Sequence, residues 1–457
     1  MVGTTRIHTI APADSVYSVR RRFESWTMKT RRRTFITDMT TIVASAGLST
    51  GCMDSLIGGK SQTTVRFWNG FTGPDGRTML NLVRRFNTEN PEIHVVMQRM
   101  DWSTFYNKLF VAGLGGRAPE CYVLHTRAML RFALGGFAAP LDPFISSRNG
   151  LPIDDFKPGV YQATSYKGQH YGVPLDVHPL GMYINKALFK EIDWDHNKPP
   201  VNSDEFRDVC RRVRKLPKGP SERYGFVFTN IDSCAYTFIN QFGGRIFSSD
   251  LQRCELSCSE NQEALAFGRS LITDGLVPSP ENMDAWIGFR QGRVAMVFEG
   301  IYMVGDLQRQ KDLDYCGAPV PLFGTKPAVW ADSHNLCMKQ GLDERHANAT
   351  WRFIQFLSNN GLDWAVGGQV PTRVSQLTAP RFSQMSVQAQ FAKQIDIVKY
   401  HPKIPFIFEY LTEFTLAVEK IMRGRESVFD ALKKAEDNIN KIMDRQRQQG
   451  VFVETST

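Results

Sequence analysis

Residues 64–97 read TVRFWNGFTGPDGRTMLNLVRRFNTENPEIHVVM, and this stretch predicts a βαβ unit. Thr64 to Trp68 are typical of a β-strand. Apolar side chains then recur at the i, i+3, i+4 and i+7 spacing of an amphipathic helix, at Met79, Leu82, Val83 and Phe86. The pair Asn90-Pro91 ends that helix before a second strand, Ile93 to Met97. This order of elements is typical of a parallel α/β sheet.

The same alternation continues along the chain. A helix is predicted over Phe105 to Ala112 and a strand over Cys121 to Leu124. Further on, Tyr171 to Pro174 and Tyr224 to Thr229 are strand-like. Near the C-terminus, apolar residues spaced by four and three predict an amphipathic helix with Ser427 as its N-cap, at Val428, Leu432, Ala435, Ile439 and Ile442. We therefore predict an α/β fold, and the length favours two lobes over one hydrophobic core.

The N-terminal region has the pattern of an export leader. A pair of arginines, Arg32 and Arg33, precedes a weakly apolar run from Met39 to Leu48, and Cys52 follows small residues. We expect Cys52 to carry a lipid anchor after the leader is removed. An ordinary basic tail is the alternative interpretation, and translation starting at Met28 is a second alternative.

The charge of the chain argues against nucleic acid as a partner. Residues 1–51 contain eight Lys and Arg and three Asp and Glu, so without them the formal net charge falls from +9 to +4. The other basic residues are scattered and match no DNA- or RNA-binding motif. No apolar run of about 18 residues follows Cys52, so we expect membrane contact only through the lipid.

Common catalytic and cofactor motifs are missing from the sequence. There is no Walker loop, GxGxxG, HExxH, GxSxG or paired CxxC, so we expect no enzyme activity, no cofactor and no metal. Most cysteines after Cys52 are predicted to be small buried apolar residues. Cys254 and Cys258 have a spacing that allows a local disulfide, with a zinc site as the weaker alternative.

Several segments follow one another in an order that a known family shares. The pair Tyr171–Pro174 and Met182–Phe189 is the most specific. The others are Val65–Gly70, Leu82–Phe86, Asn90–Val95, Phe289–Met296, Gly300–Tyr302, Ala349–Leu357 and Gly368–Arg373. Together they resemble the extracellular solute-binding proteins of bacterial ABC importers, in particular the carbohydrate-binding family of the family 1 type. The matches extend from about Thr63 to Ile442.

The resemblance implies a two-lobed periplasmic-binding-protein-like fold, in which each lobe is a sheet flanked by helices. The lobes are joined by a hinge, with crossing segments near 176–181 and 316–321, and they close on a ligand by hinge motion. The implied division is a leader at 1–51, a linker at 52–62, lobe 1 at 63–175 with 322–370, lobe 2 at 176–321 with 371–447, and a tail at 448–457.

The resemblance also implies a function outside the cytoplasm, in the periplasm or at the cell surface. The protein would be a monomer that captures a sugar or oligosaccharide in the cleft between the lobes. It would then deliver this carbohydrate ligand to the membrane subunits of an ABC importer.

The chemistry of sugars suggests which residues would line such a cleft. Sugar rings stack their apolar faces on aromatic rings, and their hydroxyls bind planar polar groups. Such groups gather in loops that follow strands of an α/β sheet. The ligand-binding residues implied by the resemblance are Asn69, Thr72, His125, Asp176, Tyr236, Glu299, Tyr302, Trp330, Asp332 and Arg373. The structural alternatives are turn chemistry for Asn69 and Thr72, a hydrogen-bonded loop histidine for His125, a hinge hydrogen bond for Asp176, core packing for Tyr236 and a surface salt bridge for Arg373.

Two other functions remain open at this point. A glycoside hydrolase would use two carboxylates on either side of one bond, and Asp176 and Glu299 are the residues available for that role. The same fold could also bind a non-sugar solute, such as a polyamine or a metal complex. Polyamine capture needs several carboxylates in the cleft.

Overall fold

The computed structural model describes residues 62–217 and 222–450. The predicted leader and the predicted lipid anchor at Cys52 lie outside the described residues, as does most of the predicted tail. No helix within the described ranges is both long enough and apolar enough to span a membrane.

The strands belong mainly to two sheets. Their bounds are β1 Thr63–Asn69, β2 Ile93–Arg99, β3 Cys121–His125, β4 Ser165–Tyr166, β5 Gln169–His170, β6 Val173–Pro174, β7 Asp176–Asn185, β8 Tyr224–Phe226, β9 Val294–Gly300, β10 Tyr315–Ala318, β11 Val329–Asp332, β12 His334–Met338, β13 Val370–Pro371 and β14 Val398–Lys399.

Helices cover both sheets and fill the connections between strands. Their bounds are α1 Pro74–Glu89, α2 Trp102–Leu114, α3 Thr126–Leu134, α4 Asp142–Ile145, α5 Pro158–Gln162, α6 Lys186–Glu191, α7 Ser203–Lys215, α8 Ile231–Gln241, α9 Ser259–Thr273, α10 Ala285–Arg290, α11 Val304–Leu307, α12 Glu344–Asn359, α13 Gly361–Ala365, α14 Val374–Leu377, α15 Pro380–Ser383, α16 Ser386–Ala392, α17 Ile407–Met422 and α18 Val428–Gln448. Short 3₁₀ turns occupy Ile153–Asp155, Ile301–Met303 and Ile395–Ile397.

The first sheet has the strand order β2-β1-β3-β12-β6. Strand β1 pairs in parallel with β2 and β3, which confirms the βαβ unit predicted from residues 64–97. On one face, Phe353 of α12 meets Phe67 and Phe86 edge to face, each with ring centroids 5.1 Å apart. The other face buries Phe105 of α2 and Phe132 of α3. These two layers of side chains form the core of the first lobe.

The second sheet has the order β14-β11-β7-β9-β8, with β10 and β13 also pairing with β7. All ten residues of β7 are buried, as expected for a central strand that is covered on both faces. Phe226 and Phe298 contact each other at 4.5 Å between ring centroids, and both belong to aromatic packing that includes Phe206 and Phe323. A separate core therefore supports the second lobe, and the two-lobed α/β fold is confirmed.

The chain passes between the two sheets at Leu175, between β6 and β7, at Ser333, between β11 and β12, and a third time between β12 and β13, which pairs with β7. The second crossing was predicted at 316–321. In the structure, β10 pairs with β7 inside the second sheet, and β11 extends the same sheet before the chain leaves it. The hinge segment at 316–321 stays a prediction. The lobe boundaries at 175 and 321–322 and near 370 stay predictions.

Two local predictions can be compared directly with hydrogen bonds at helix ends. The Ser427 hydroxyl accepts from the Asp430 backbone N–H at 3.1 Å, which confirms the predicted N-cap of α18. Helix α2 begins three residues before the predicted start, because Asp101 caps it by accepting from Thr104 N–H at 2.9 Å. The cysteines in the described residues, including Cys254, have free thiols.

Candidate functional site

A cavity of about 620 Å³ takes its lining from elements of both sheets. From the first sheet come the loop after β1, the start of α2 and the ends of β3 and β12. From the second sheet come β7, β11, the start of α8 and the turn after β9. The cavity therefore lies where strands of both sheets end, which is the usual place for ligands in α/β folds.

The loop after β1 enters the cavity because Asn69 turns the chain. The fully buried Asn69 side chain accepts a hydrogen bond from the Phe71 backbone N–H at 3.2 Å. The loop that follows, including Thr72 and Asp75, lines the cavity. Burial raises the pKa of the Asp75 carboxyl. Asn69 thus shapes the loop, while Thr72 offers its hydroxyl to the cavity.

Aromatic rings line the cavity from both lobes. Trp102, the first residue of α2, stacks on the imidazole of His334 with ring centroids 5.4 Å apart and planes 12° apart. Tyr302 and Trp330 line the cavity from the second lobe. Trp330 is 6% exposed, and its Nε1 has no hydrogen-bond partner among the described residues. These rings provide flat apolar surfaces to the cavity, and the Trp330 indole N–H is buried.

Glu299 holds Tyr302 in place and lies outside the lining of this cavity. Its Oε1 accepts from the Tyr302 hydroxyl at 2.6 Å, from Asn230 Nδ2 at 3.2 Å and from the Gly300 backbone N–H at 3.0 Å. Burial raises the pKa of Tyr302 well above its usual range, and the Glu299 carboxylate raises it further. Tyr302 therefore remains a neutral phenol with a fixed orientation.

Asp176 is fully buried where β6 passes into β7. Its carboxylate accepts from Trp364 Nε1 at 2.6 Å, from His334 Nδ1 at 2.8 Å and from the His334 backbone N–H at 3.1 Å. His178 Nδ1 lies 3.3 Å from Asp176 Oδ1. Burial alone would raise the pKa of Asp176, but His334 and His178 outweigh burial and hold the pKa below the usual range. The environment matches the structural alternative for this residue, a hydrogen-bonded hinge group.

Two other predicted residues have partners within the protein. Asp332 forms an ion pair with Arg127, which lines the cavity. The Tyr236 hydroxyl donates to the Tyr400 carbonyl at 2.8 Å, and its ring packs in the core of the second lobe. Asp332 positions a lining residue, whereas Tyr236 is a core residue.

Arg373 lies away from the cavity. Its Nε donates to Asp155 Oδ2 at 2.7 Å, and its Nη1 donates to Asn359 Oδ1 at 2.7 Å. The side chain is therefore committed to an ion pair within the protein, as in the alternative given for it. The ligand contact implied for Arg373 stays a prediction.

The ten predicted residues thus fall into three groups. Thr72, His125, Tyr302 and Trp330 line the cavity. Four other predicted residues do not line the cavity but support its wall. Asn69 shapes a lining loop, and Asp176, Glu299 and Asp332 contact lining residues. Tyr236 lies in the core of the second lobe, and Arg373 forms an ion pair outside the cavity lining.

Comparison with known proteins agrees with this architecture. Residues 71–361 match the family model described as bacterial extracellular solute-binding protein. The chain belongs to this family. Among the relatives of this solute-binding protein, a binding protein of Brucella abortus is 24% identical over 87% of this chain and 97% of the relative. The maltotriose-binding protein of Pyrococcus abyssi is 21% identical over 83% of this chain and 82% of the relative.

Solved structures show the same fold. The sugar-binding protein MalE of Xanthomonas citri superimposes with a TM-score of 0.75 at 23% identity, over 85% of this chain and 99% of that protein. An ABC substrate-binding protein of Listeria monocytogenes in complex with cycloalternan gives a TM-score of 0.73 at 21% identity, over 84% and 99%. At these identities the likeness supports the two-lobed fold of the solute-binding protein.

Sequence reasoning missed several residues that line the cavity of this solute-binding protein. They are Asp75, Trp102, Arg127, Asn230, Asp232 and His334. Four of these had a local signal that could have been used. Trp102 and Asp232 lie at helix starts that follow strand-like segments, and His334 ends the polar run Trp330-Ala331-Asp332-Ser333-His334. Arg127 follows β3 by two residues, the same edge at which His125 was predicted.

Proposed function

We propose that this solute-binding protein captures a sugar or oligosaccharide in the cavity between its lobes, as a monomer, and delivers it to the membrane subunits of an ABC importer. The supporting observation is the composition of the cavity wall. Trp102, Tyr302 and Trp330 provide ring faces, while Thr72 and Asn230 provide uncharged polar groups. Sugars need both kinds of surface.

The size of the cavity and the ligands of related proteins support the same proposal. A volume of about 620 Å³ lies within the range of small-molecule sites. A relative is named for maltotriose, and a structural neighbour was solved with cycloalternan. We therefore expect a saccharide of more than one ring.

The positions of Asp176 and Glu299 argue against the glycoside hydrolase alternative. The Asp176 carboxylate is contacted by four nitrogen atoms, from Trp364, His334 and His178. The Glu299 carboxylate accepts hydrogen bonds from Tyr302, Asn230 and Gly300. Both carboxylates lie outside the lining of the cavity. They are therefore not placed on either side of a substrate bond, as hydrolysis requires.

A ligand panel tests the proposal. We expect maltose, maltotriose or a cyclic oligosaccharide to raise the melting temperature of the purified protein, because a ligand that binds only the native state stabilises it by about 2.7 kcal/mol at a hundredfold excess over Kd. Spermidine serves as the competing class, since Asp75, Asp232 and Asp306 also line the cavity. A shift with spermidine and none with any saccharide would replace the sugar assignment by a polyamine assignment.

We also infer that the protein acts outside the cytoplasm and is attached to the membrane through Cys52. The family description as extracellular and the leader pattern around Arg32 and Arg33 support this inference. In cells that express the full chain, we expect the protein in the membrane fraction, and we expect Cys52→Ala to release it. Unchanged membrane association of Cys52→Ala would contradict the anchor.

A further inference from the structure

Three histidines from both sheets meet at the cavity. His125 ends β3 and His334 begins β12, and the two residues pair with each other in the antiparallel ladder. His178 lies on β7, opposite Asp332 of β11. All three side chains are buried and line the cavity, and one potential ligand atom from each lies within 4.8 Å of the other two. Backbone pairing in two sheets thus holds three imidazoles together.

One nitrogen of each ring already has a partner. His334 Nδ1 lies 2.8 Å from Asp176 Oδ2, and His178 Nδ1 lies 3.3 Å from Asp176 Oδ1. His125 Nδ1 lies 2.6 Å from the Tyr106 hydroxyl oxygen. A carboxylate accepts only, so Asp176 selects the tautomer of His178 and His334 in which Nδ1 carries the proton. Tyr106 can accept from Nδ1 of His125 in the same way.

The second nitrogen of each ring remains available. The contacts of His125, His178 and His334 with Tyr106 and Asp176 all involve Nδ1, so none of them uses Nε2. Burial lowers the pKa of His125 well below its usual range, with Arg127 adding to the effect. Burial also lowers the pKa of His178, and His334 adds to it. An imidazole nitrogen binds a metal ion through its unused lone pair.

We propose that His125, His178 and His334 bind a divalent transition-metal cation of the Zn²⁺, Ni²⁺ or Co²⁺ type through their Nε2 atoms. Three imidazoles suit these cations, whereas Mg²⁺ and Ca²⁺ prefer oxygen ligands. Three protein ligands leave at least one coordination position for water or for a solute oxygen. The site differs from a structural zinc site, which uses four protein ligands.

The geometry requires only a modest contraction of the cluster. Zinc binds imidazole nitrogen at about 2.0–2.1 Å, which places tetrahedral ligand atoms about 3.4 Å apart. One ring nitrogen of each histidine lies within 4.8 Å of one ring nitrogen of each of the other two, so we expect rotations of the rings to bring the Nε2 atoms to bonding distance. Asp176 then acts as the outer partner that orients two metal ligands, an arrangement common around protein-bound metals.

The site would connect the two lobes. His125 and His334 belong to the first sheet, and His178 belongs to the central strand of the second sheet. A cation bound to all three therefore favours the arrangement in which the lobes are close together. This site does not depend on the sugar proposal, because the metal ligands are assembled by the backbone and not by the solute.

Metal titration of the untagged full chain tests the site. After treatment with EDTA and dialysis, we expect Zn²⁺, Ni²⁺ and Co²⁺ to bind with one ion per chain, and Mg²⁺ and Ca²⁺ to give no heat. Visible absorption of the Co²⁺ form should show the ligand-field bands of nitrogen coordination. We expect His178→Gln and His334→Gln to weaken binding by about tenfold or more, as loss of an orienting or ligating group does at protein metal sites.

The control is His94→Gln, because His94 is an exposed imidazole on β2, away from the cavity. This variant should bind metal like the wild type. Thermal melts of the apo variants identify any loss that comes from unfolding, and the Co²⁺ spectrum of the wild type then still tests the site. No binding, or equal binding by His178→Gln and wild type, would overturn the proposal. A saccharide titration in EDTA tests the sugar function separately.

Discussion

Replacing Asp176 with alanine is expected to lower the free energy of unfolding by about 3–5 kcal/mol, the effect of removing one partner from a buried charged network. The carboxylate is fully buried and accepts from Trp364 Nε1 at 2.6 Å and from His334 at both its ring and its backbone nitrogen. Without the carboxylate, these N–H groups remain buried without acceptors, which is the expensive outcome for a polar group. Urea denaturation followed by tryptophan fluorescence measures the change.

The position of Asp176 in the fold makes this effect larger than a local one. The residue begins β7 directly after the chain leaves the first sheet, and Pro371 of β13 pairs with it. His334 begins β12 directly after the second crossing, and Trp364 lies in α13. One carboxylate thus joins the first two crossings and the helix that packs beside them. Its loss should loosen the junction between the lobes.

Two further variants separate the effect of losing the hydrogen-bond network from the effect of losing a negative charge. Asp176→Asn keeps the shape and one acceptor, so we expect a smaller loss than for alanine. Asp314→Ala removes an exposed carboxylate that pairs with Lys186 at 2.6 Å, and surface pairs of this kind contribute about 0–1 kcal/mol. If Asp176→Ala were as mild as Asp314→Ala, the carboxylate would not be the junction that the hydrogen bonds indicate.

Local patterns were sufficient to predict the first βαβ unit, because each element there has its own signal. The predicted strand Thr64–Trp68 lies inside β1, and Asn90 ends α1 through its backbone N–H, which donates to the Phe86 carbonyl at 2.9 Å. Apolar spacing and a helix stop depend only on neighbouring residues. The parallel pairing of β1 and β2 follows from the helical crossover between them, since α1 carries the chain back to the start of the sheet.

Strand pairing over long distances was harder to predict. A hinge segment was expected near 316–321, and in the structure both β10 and β11 pair with β7 before the chain leaves the second sheet at Ser333. Short strands carry little alternation, and which strand they join is decided by packing elsewhere in the chain. The strand predicted over Tyr224 to Thr229 is likewise shorter, since only Tyr224–Phe226 pair with β9.

The candidate site was also predicted only in part, because it brings together residues that are far apart in the sequence. The rule that ligand groups follow strands identified Thr72 and His125, which line the cavity. It was not applied to Trp102 and Asn230, which also line the cavity. For Arg373, which the resemblance implied as a ligand contact, nothing in the local sequence indicates its partner Asp155, 218 positions away.

Trp330 is the lining residue for which we expect the largest effect on affinity. It is 6% exposed and lies on β11, one strand from His178, whose ring centroid is 6.3 Å from that of Trp330. Its backbone N–H donates to the Thr237 hydroxyl at 3.0 Å, so the residue is held firmly in the wall. Its Nε1 has no hydrogen-bond partner among the described residues. A large, rigid aromatic side chain in the centre of a site is typical of residues that contribute most to binding.

Trp330→Ala should raise the Kd for the saccharide that gives the largest thermal shift by about thirtyfold or more, because truncating a central aromatic anchor costs about 2 kcal/mol or more. Trp330→Phe keeps a ring face and removes the indole N–H. An intermediate Kd for this variant would divide the effect between stacking on the ring and donation from Nε1. Isothermal titration calorimetry measures all three proteins.

The matched control is Trp351→Ala, which makes the same change at a tryptophan of similar burial outside the cavity. Trp351 is 5% exposed and packs on Phe144 in the core of the first lobe, with ring centroids 5.6 Å apart. We expect this variant to lose stability, as large-to-small core changes do, and to keep the wild-type Kd. If Trp330→Ala folded and bound the saccharide with the wild-type Kd, the ring would be part of the core and not of the binding site, since a stacking surface for sugar cannot be removed without loss of affinity.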